Sequence, residues 1–258
     1  MSGYLDSTGR DDVLSGGARM IPISTPAGRQ RSLWELGRFA DEVEQVRQAL
    51  GLNQGNFVLY GQSWGGILAI EYALAYQQHL RGLVISNMMA SVPAYNAYAE
   101  RVLMPEMDQA ALSEIKSLEA SGQTGDPRYM ELLNEQHYVH HVLRMPVAQW
   151  PDPVQRGFAH INPAIYVSMQ GPSELGISAG AKLAHWDRTA ELTSIGVPAR
   201  VMGARYDTMD PAHLEMMAGR LPRGRYHYCP QGSHLAMYDD QETYFAGLTD
   251  FLGSLAGP

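Results

Sequence analysis

The sequence predicts an α/β protein in which a mostly parallel sheet is interrupted by a helical insertion. A short apolar run, a helix-forming stretch and a second apolar run follow one another within residues 56–86, the strand–helix–strand spacing of a parallel sheet. The same alternation returns over residues 197–229. Between the two, a stretch of roughly a hundred residues from near Ser91 to near His185 carries helical patterning and no strand pattern. A chain of 258 residues can form one large domain or two small ones. The pattern divides it into a core in two pieces, residues 1–90 and 186–258, with the insertion at residues 91–185.

Along the chain, Met20 to Ser24 reads as one strand. Leu33, Leu36, Phe39, Val43, Val46 and Leu50 recur every three or four residues, which places an apolar stripe on a helix from Ser32 to Leu52, with Gly51 as its stop. Asn56 to Tyr60 is brief, apolar and followed by Gly61, as in a buried strand. Gly65 to Tyr76 is almost wholly apolar, so it predicts a helix lying on the sheet, and Gly82 to Ser86 predicts the next strand. Within the insertion, helices are expected over Met104 to Gly122 and Asp126 to Met145, the second capped by Asp126 with Pro127 at its first position. Strands follow at Val197 to Gly203 and Arg225 to Cys229, separated by a helix that Asp210 caps and Pro211 begins. A last helix covers Glu242 to Leu255.

Composition excludes several classes. Apolar residues make up 45% and charged residues 18%, which suits a globular protein. The net charge of −8 argues against a nucleic-acid surface, which needs clustered Lys and Arg. The single cysteine, Cys229, precludes an intramolecular disulfide and reads as a buried core thiol. No signal-peptide pattern or membrane-spanning apolar run is present, so a soluble, cytoplasmic protein is expected.

The sharpest chemical signal is Gly61-Gln62-Ser63-Trp64-Gly65, a G-x-S-x-G sequence where a predicted strand gives way to a predicted helix. Such a turn is sharp and strained, calls for small residues on both sides of the serine, and lifts the Ser63 hydroxyl above the strand ends. The Trp64 N–H, at the helix start, can then face a developing oxyanion. A serine hydroxyl needs a base and a group that orients the base. His234 lies on the loop after the final strand, the one histidine of nine so placed. Asp207 lies on the loop after the preceding strand. Asp210 competes with it, but stands directly before Pro211, where helix capping accounts for it. His137 and His141 have the i, i+4 spacing of a metal pair without the glutamate of H-E-x-x-H or a third ligand, and read as part of an aromatic, partly exposed helix. No metal or cofactor is expected.

Four stretches together resemble the proline iminopeptidase family of α/β-hydrolases: GQSWGG at 61–66, MQGPSE at 169–174, GARYDTMDP at 203–211 and Gly232-Ser233-His234. The resemblance runs from Leu33 nearly to the C-terminus. It implies an α/β-hydrolase fold, the insertion serving as a helical cap, and a serine peptidase that releases an N-terminal residue, preferably proline, from short peptides with a free N-terminus. It also implies that Glu174 binds the substrate's amino group. Rival readings are an esterase or amidase of small acyl substrates, and a weakly active or non-catalytic remnant. The sequence departs from the family twice. Thr208 stands where some relatives have a second acid, so the amino-group site is expected to be either weaker or completed by another carboxylate. The family's His-Gly-Gly-Pro segment, source of the second oxyanion donor, and several strands are missing near Gly28 to Ser32. The sheet is therefore expected to be truncated on its N-terminal side, with the nucleophile strand open to self-association into a homo-oligomer unless Met20 to Ser24 covers it.

Overall fold

The computed structural model describes residues 34–255. The strand expected at Met20 to Ser24 and the departure near Gly28 to Ser32 lie outside the described residues. Helix α1 (Leu36–Ala49) is followed by strand β1 (Val58–Gln62), helix α2 (Trp64–Tyr76) and strand β2 (Gly82–Ser86). The insertion holds α3 (Val92–Tyr98), α4 (Gln109–Ala120), α5 (Pro127–Leu133), α6 (Asp152–Ala159) and α7 (Pro163–Met169). Strand β3 (Ala199–Ala204), helix α8 (Pro211–Arg220), strand β4 (Gly224–Cys229) and helix α9 (Gln241–Leu255) complete the described chain.

The four strands are all parallel, in the order β1-β2-β3-β4. Strands β2 and β3 are buried along their whole length, as the near-continuous apolar runs of a sheet covered on both faces require. One face packs on α1, α2 and α8 through residues such as Phe39, Ile70, Leu83 and Leu214. The other packs on α9 through Val84, Met202, Tyr244 and Phe251. Among the described residues β1 is an edge, and Tyr60 on it is 41% exposed.

Helix α1 corrects the expected stripe at one end. Leu50 lies beyond the helix and faces solvent, whereas Glu44 is buried. Arg47 Nη2 and Tyr72 Oη donate to the Glu44 carboxylate at 2.7 and 2.8 Å. Arg47's hydrogen bond, with those from Gln48 and Tyr72, outweighs burial and holds the carboxyl at about 2. Gly51 ends the segment at φ +64, the left-handed stop its position suggested.

The insertion has an apolar core of its own, built on Leu103, Ile115, Tyr129, Leu133 and Trp150. An antiparallel bridge between Ser91 and Asp187 joins its two ends, and Ser91 Oγ donates to Asp187 at 2.8 Å. The caps read from the sequence are made: Asp126 accepts from the Arg128 N–H and Asp210 from the Ala212 N–H, both at 2.9 Å. The helix expected to run from Asp126 to Met145 instead changes pitch. After Leu133 it continues as a π-helix over Asn134–Val142, which alters the face each later residue presents. None of the helices among the described residues is long and apolar enough to cross a membrane.

Candidate active site

Each strand delivers a polar residue just beyond its C-terminal end, the edge of a parallel sheet where α/β proteins bind ligands. After β1 comes Ser63, at φ 55 and ψ −129, a conformation that costs a non-glycine residue and holds the hydroxyl clear of the helix behind it. Space demands glycine at Gly61, where an added Cβ would lie 2.1 Å from the Gly65 carbonyl oxygen, and at Gly66, where it would lie 2.6 Å from Met88. At Gly65 an added Cβ would meet nothing within 4 Å, so the expected need for a small residue on that side falls on Gly66 instead. Trp64 is the first residue of α2, and its N–H has no acceptor within the helix.

The structure brings Ser63, His234 and Asp207 into one line. His234 Nε2 lies 2.8 Å from Ser63 Oγ, and His234 Nδ1 lies 2.8 Å from Asp207 Oδ1. His234 and Asp207 are buried, and Asp207 Oδ1 also accepts from the Met209 N–H at 3.1 Å. Burial alone would depress the His234 pKa, but the charge and hydrogen bond of Asp207 prevail and raise it above the ordinary 6.5. Asp210 is taken up in capping α8, as its place before Pro211 suggested.

Glu174 shares the wall of a cavity of about 200 Å³ with Ser63 and His234. Phe158, Ile161, Ile165 and Met169 make much of the remaining wall apolar. Glu174 Oε1 accepts from Tyr166 Oη and, at 3.3 Å, from Gln170 Nε2. Burial, then the charge of Glu174, pushes the Tyr166 phenol well above its ordinary value, so it stays a donor. The Glu174 backbone is pinned too: its carbonyl accepts from Tyr95 Oη at 2.6 Å and pairs with His137 Nε2 at 3.1 Å, and its N–H donates to Tyr138 Oη at 3.2 Å. Tyr166 and Gln170 were missed in the sequence. Gln170 lies within MQGPSE itself, and Tyr166 lies one helical turn before it, on the helix that ends at Met169.

One expectation is corrected here. Thr208 is fully buried with Oγ1 3.3 Å from Asp207 Oδ1 and 3.2 Å from His234 Nδ1, so this position packs on the Asp207–His234 pair and does not line the cavity. Among the described residues Glu174 is the one carboxylate lining that cavity, its neighbours being a phenol and an amide. The segment that carries the histidine pair is partly exposed, as read, with His140 facing solvent, while the pair itself turns inward. His137 is fully buried, and His141 is buried with Nδ1 3.0 Å from the Tyr206 carbonyl. Desolvation drives the His137 pKa down to about 3. No group of three or more His, Cys, Asp or Glu among the described residues could hold a metal ion. Cys229 is buried, and burial pushes its thiol up to about 12.

A parallel sheet, a strained serine at a strand-to-helix turn, and an acid and a histidine on the next strand ends define the class as an α/β-hydrolase. The sequence pattern of the alpha/beta hydrolase fold matches residues 21–241. A proline iminopeptidase of Elizabethkingia meningoseptica is 50% identical over 220 residues, covering 85% of this chain and 73% of the relative. Among solved structures, VinJ aligns with a TM-score of 0.80 at 29% identity over 87% of this chain and 74% of the other. The proline iminopeptidase of Mycobacterium smegmatis aligns with a TM-score of 0.78 at 27% identity, over 95% and 79% respectively. The chain belongs to the proline iminopeptidase family of α/β-hydrolases.

Proposed function

We propose that the protein is a serine aminopeptidase that releases an N-terminal residue, preferably proline, from short peptides. The observation that carries this reading is the shared cavity: a nucleophile–base pair and a single carboxylate line the same, otherwise largely apolar chamber. Ser63 Oγ attacks the first carbonyl while His234 Nε2 takes its proton, and Asp207 stabilises the imidazolium that results. The Trp64 N–H faces the oxyanion. His234 then returns the proton to the departing amine, and water hydrolyses the acyl-enzyme by the same route. Glu174 pairs with the substrate's ammonium and so sets which carbonyl meets Ser63. Residues 91–185 act as a cap over the strand ends, and 1–90 with 186–258 form the hydrolase core. Names and identities of the relatives support the peptide substrate, and the acidic composition suits a cytoplasmic enzyme.

The test is hydrolysis of prolyl-arylamides alongside covalent labelling by a fluorophosphonate, on the parent chain and on Ser63→Ala. Both activities should be lost in the variant. Retained hydrolysis would move the site elsewhere, and labelling with cleavage of acetyl esters alone would favour a general esterase.

A further inference from the structure

Three of the four strand ends supply Ser63, His234 and Asp207; the fourth, after β2, supplies Asn87. Asn87 is fully buried and, with Ser63, is one of two non-glycine residues at positive φ among the described residues, at 52°. Its Nδ2 donates to Asp207 Oδ2 at 2.6 Å, the carboxylate oxygen that His234 does not use, and lies 3.4 Å from the Ser233 carbonyl. An ionised carboxylate only accepts, so Nδ2 must face it and Oδ1 must face Ser86. Ser86 Oγ therefore donates to Asn87 Oδ1 at 2.7 Å. Having spent its one proton, Ser86 Oγ accepts from Tyr244 Oη at 2.8 Å, and Tyr244 in turn accepts from Tyr60 Oη at 2.6 Å. Every member of the chain donates in the same direction, from the partly exposed Tyr60 to Asp207. Burial raises the pKa of both phenols, which keeps them protonated donors.

We propose that Asn87 is a positioning residue of the hydrolytic site, holding Asp207 in the plane that meets His234 through a hydrogen-bond chain anchored on Tyr244 and Tyr60. Asparagine suits the position twice: it tolerates the left-handed backbone, and its amide offers a donor to Asp207 and an acceptor to Ser86. Alignment of successive bonds in a buried setting strengthens each of them. Asn87 lines neither cavity at Ser63, so its effect on substrate passes through Asp207. The inference rests on the serine-hydrolase reading of Ser63, His234 and Asp207, and is independent of the amine preference.

The test uses the full chain with Asn87→Gly, which keeps the positive φ, and Tyr244→Phe, which removes one hydroxyl from the chain. Asn87→Gly should lower both kcat and the fluorophosphonate labelling rate by about ten- to a hundredfold, the scale of one hydrogen bond to an ionised group. KM should stay within about twofold, because the cavity is untouched. The His234 Nδ1 proton, followed by NMR, should shift upfield, and the pKa of the imidazole should fall as Asp207 swings away. The other groups facing His234 (Glu174, Asp239, His137 and His141) are the same in both variants. Tyr244→Phe should show the same changes at smaller amplitude. A folded Asn87→Gly with parental kcat and an unmoved imidazole signal would overturn the proposal, as would a rise in KM at constant kcat. If the parent chain takes no fluorophosphonate, the hydrolase reading fails, while the imidazole signal still decides whether Asn87 positions Asp207.

Discussion

Replacing Glu174 by glutamine tests the amine clamp with almost no change of shape. Tyr166 Oη and Gln170 Nε2 both donate to Oε1, leaving Oε2 for a substrate. A glutamine side chain must keep its oxygen where those two donors converge, so its NH2 group takes the Oε2 position. A substrate ammonium then meets a donor where it had met an anionic acceptor. A hydrogen bond to an ionised group is worth about 1.5–3 kcal/mol, so kcat/KM for prolyl-arylamides should fall roughly ten- to a hundredfold or slightly more. Acetyl esters have no amine to lose and should change by less than about threefold, which corresponds to about 0.65 kcal/mol. Parallel kinetics on the two substrate series gives the ratio directly. Equal losses on both would remove the amino-group role and leave Glu174 as a structural residue of the cap.

Further outcomes follow from the same geometry. Asp207→Asn should cost several orders of magnitude in kcat and move the acid limb of kcat/KM to lower pH, because the charge that raises the His234 pKa is gone; Asp210→Asn should affect stability only, and a larger kinetic loss there would reassign the acid. His234 itself links to stability in the opposite sense: its raised pKa contributes stability fully present below 6.5 and lost as pH rises through the folded value, while activity needs the neutral base. His137→Gln should resist acid better than the parent chain. With the folded pKa of His137 lowered to about 3, stability falls as pH drops from 6.5 toward 3, and urea titrations across that window should show the parent losing more. Inserting a family-like His-Gly-Gly-Pro segment between Gly28 and Ser32 should raise kcat about 10²-fold, as expected for an added oxyanion donor, and favour a monodisperse species on size exclusion. A parent chain already as fast and monomeric would place the second donor elsewhere.

What could be read from the sequence follows from how local each signal is. Ser63 announced itself because an elbow needs Gly61 beside the nucleophile and an apolar helix after it, all within a few residues. Asp207 and His234 were readable as residues just past apolar runs, and Asp210 was set aside because Pro211 beside it marks a helix start. Strand β2 was found residue for residue, since a strand buried on both faces is a continuous apolar run. Glu44 escaped notice because its burial depends on Tyr72, on a different helix. Asn87 escaped because an asparagine after a strand is an ordinary turn residue until its amide is seen to reach Asp207, 120 positions away.

The π-helix at Asn134–Val142 shows why the remainder of the site is not a local property. From this one segment, the His141 carbonyl accepts from the His234 N–H and the Val142 carbonyl from the Leu235 N–H, both at 2.9 Å. From its middle, His137 and Tyr138 hold the backbone of Glu174. A regular α-helix turns 100° per residue, and the wider π pitch changes which residues share a face. The pitch that forms lets the segment serve the histidine loop and the Glu174 loop at once, and His137 and His141 then lie with ring centroids 5.2 Å apart. Helical periodicity in the sequence cannot signal such a turn, because its cause is two distant loops that must be met by the same nine residues. The insertion therefore braces both the His234 loop and the Glu174 loop, and substitutions in this segment should alter substrate preference while leaving Ser63, Asp207 and His234 unchanged.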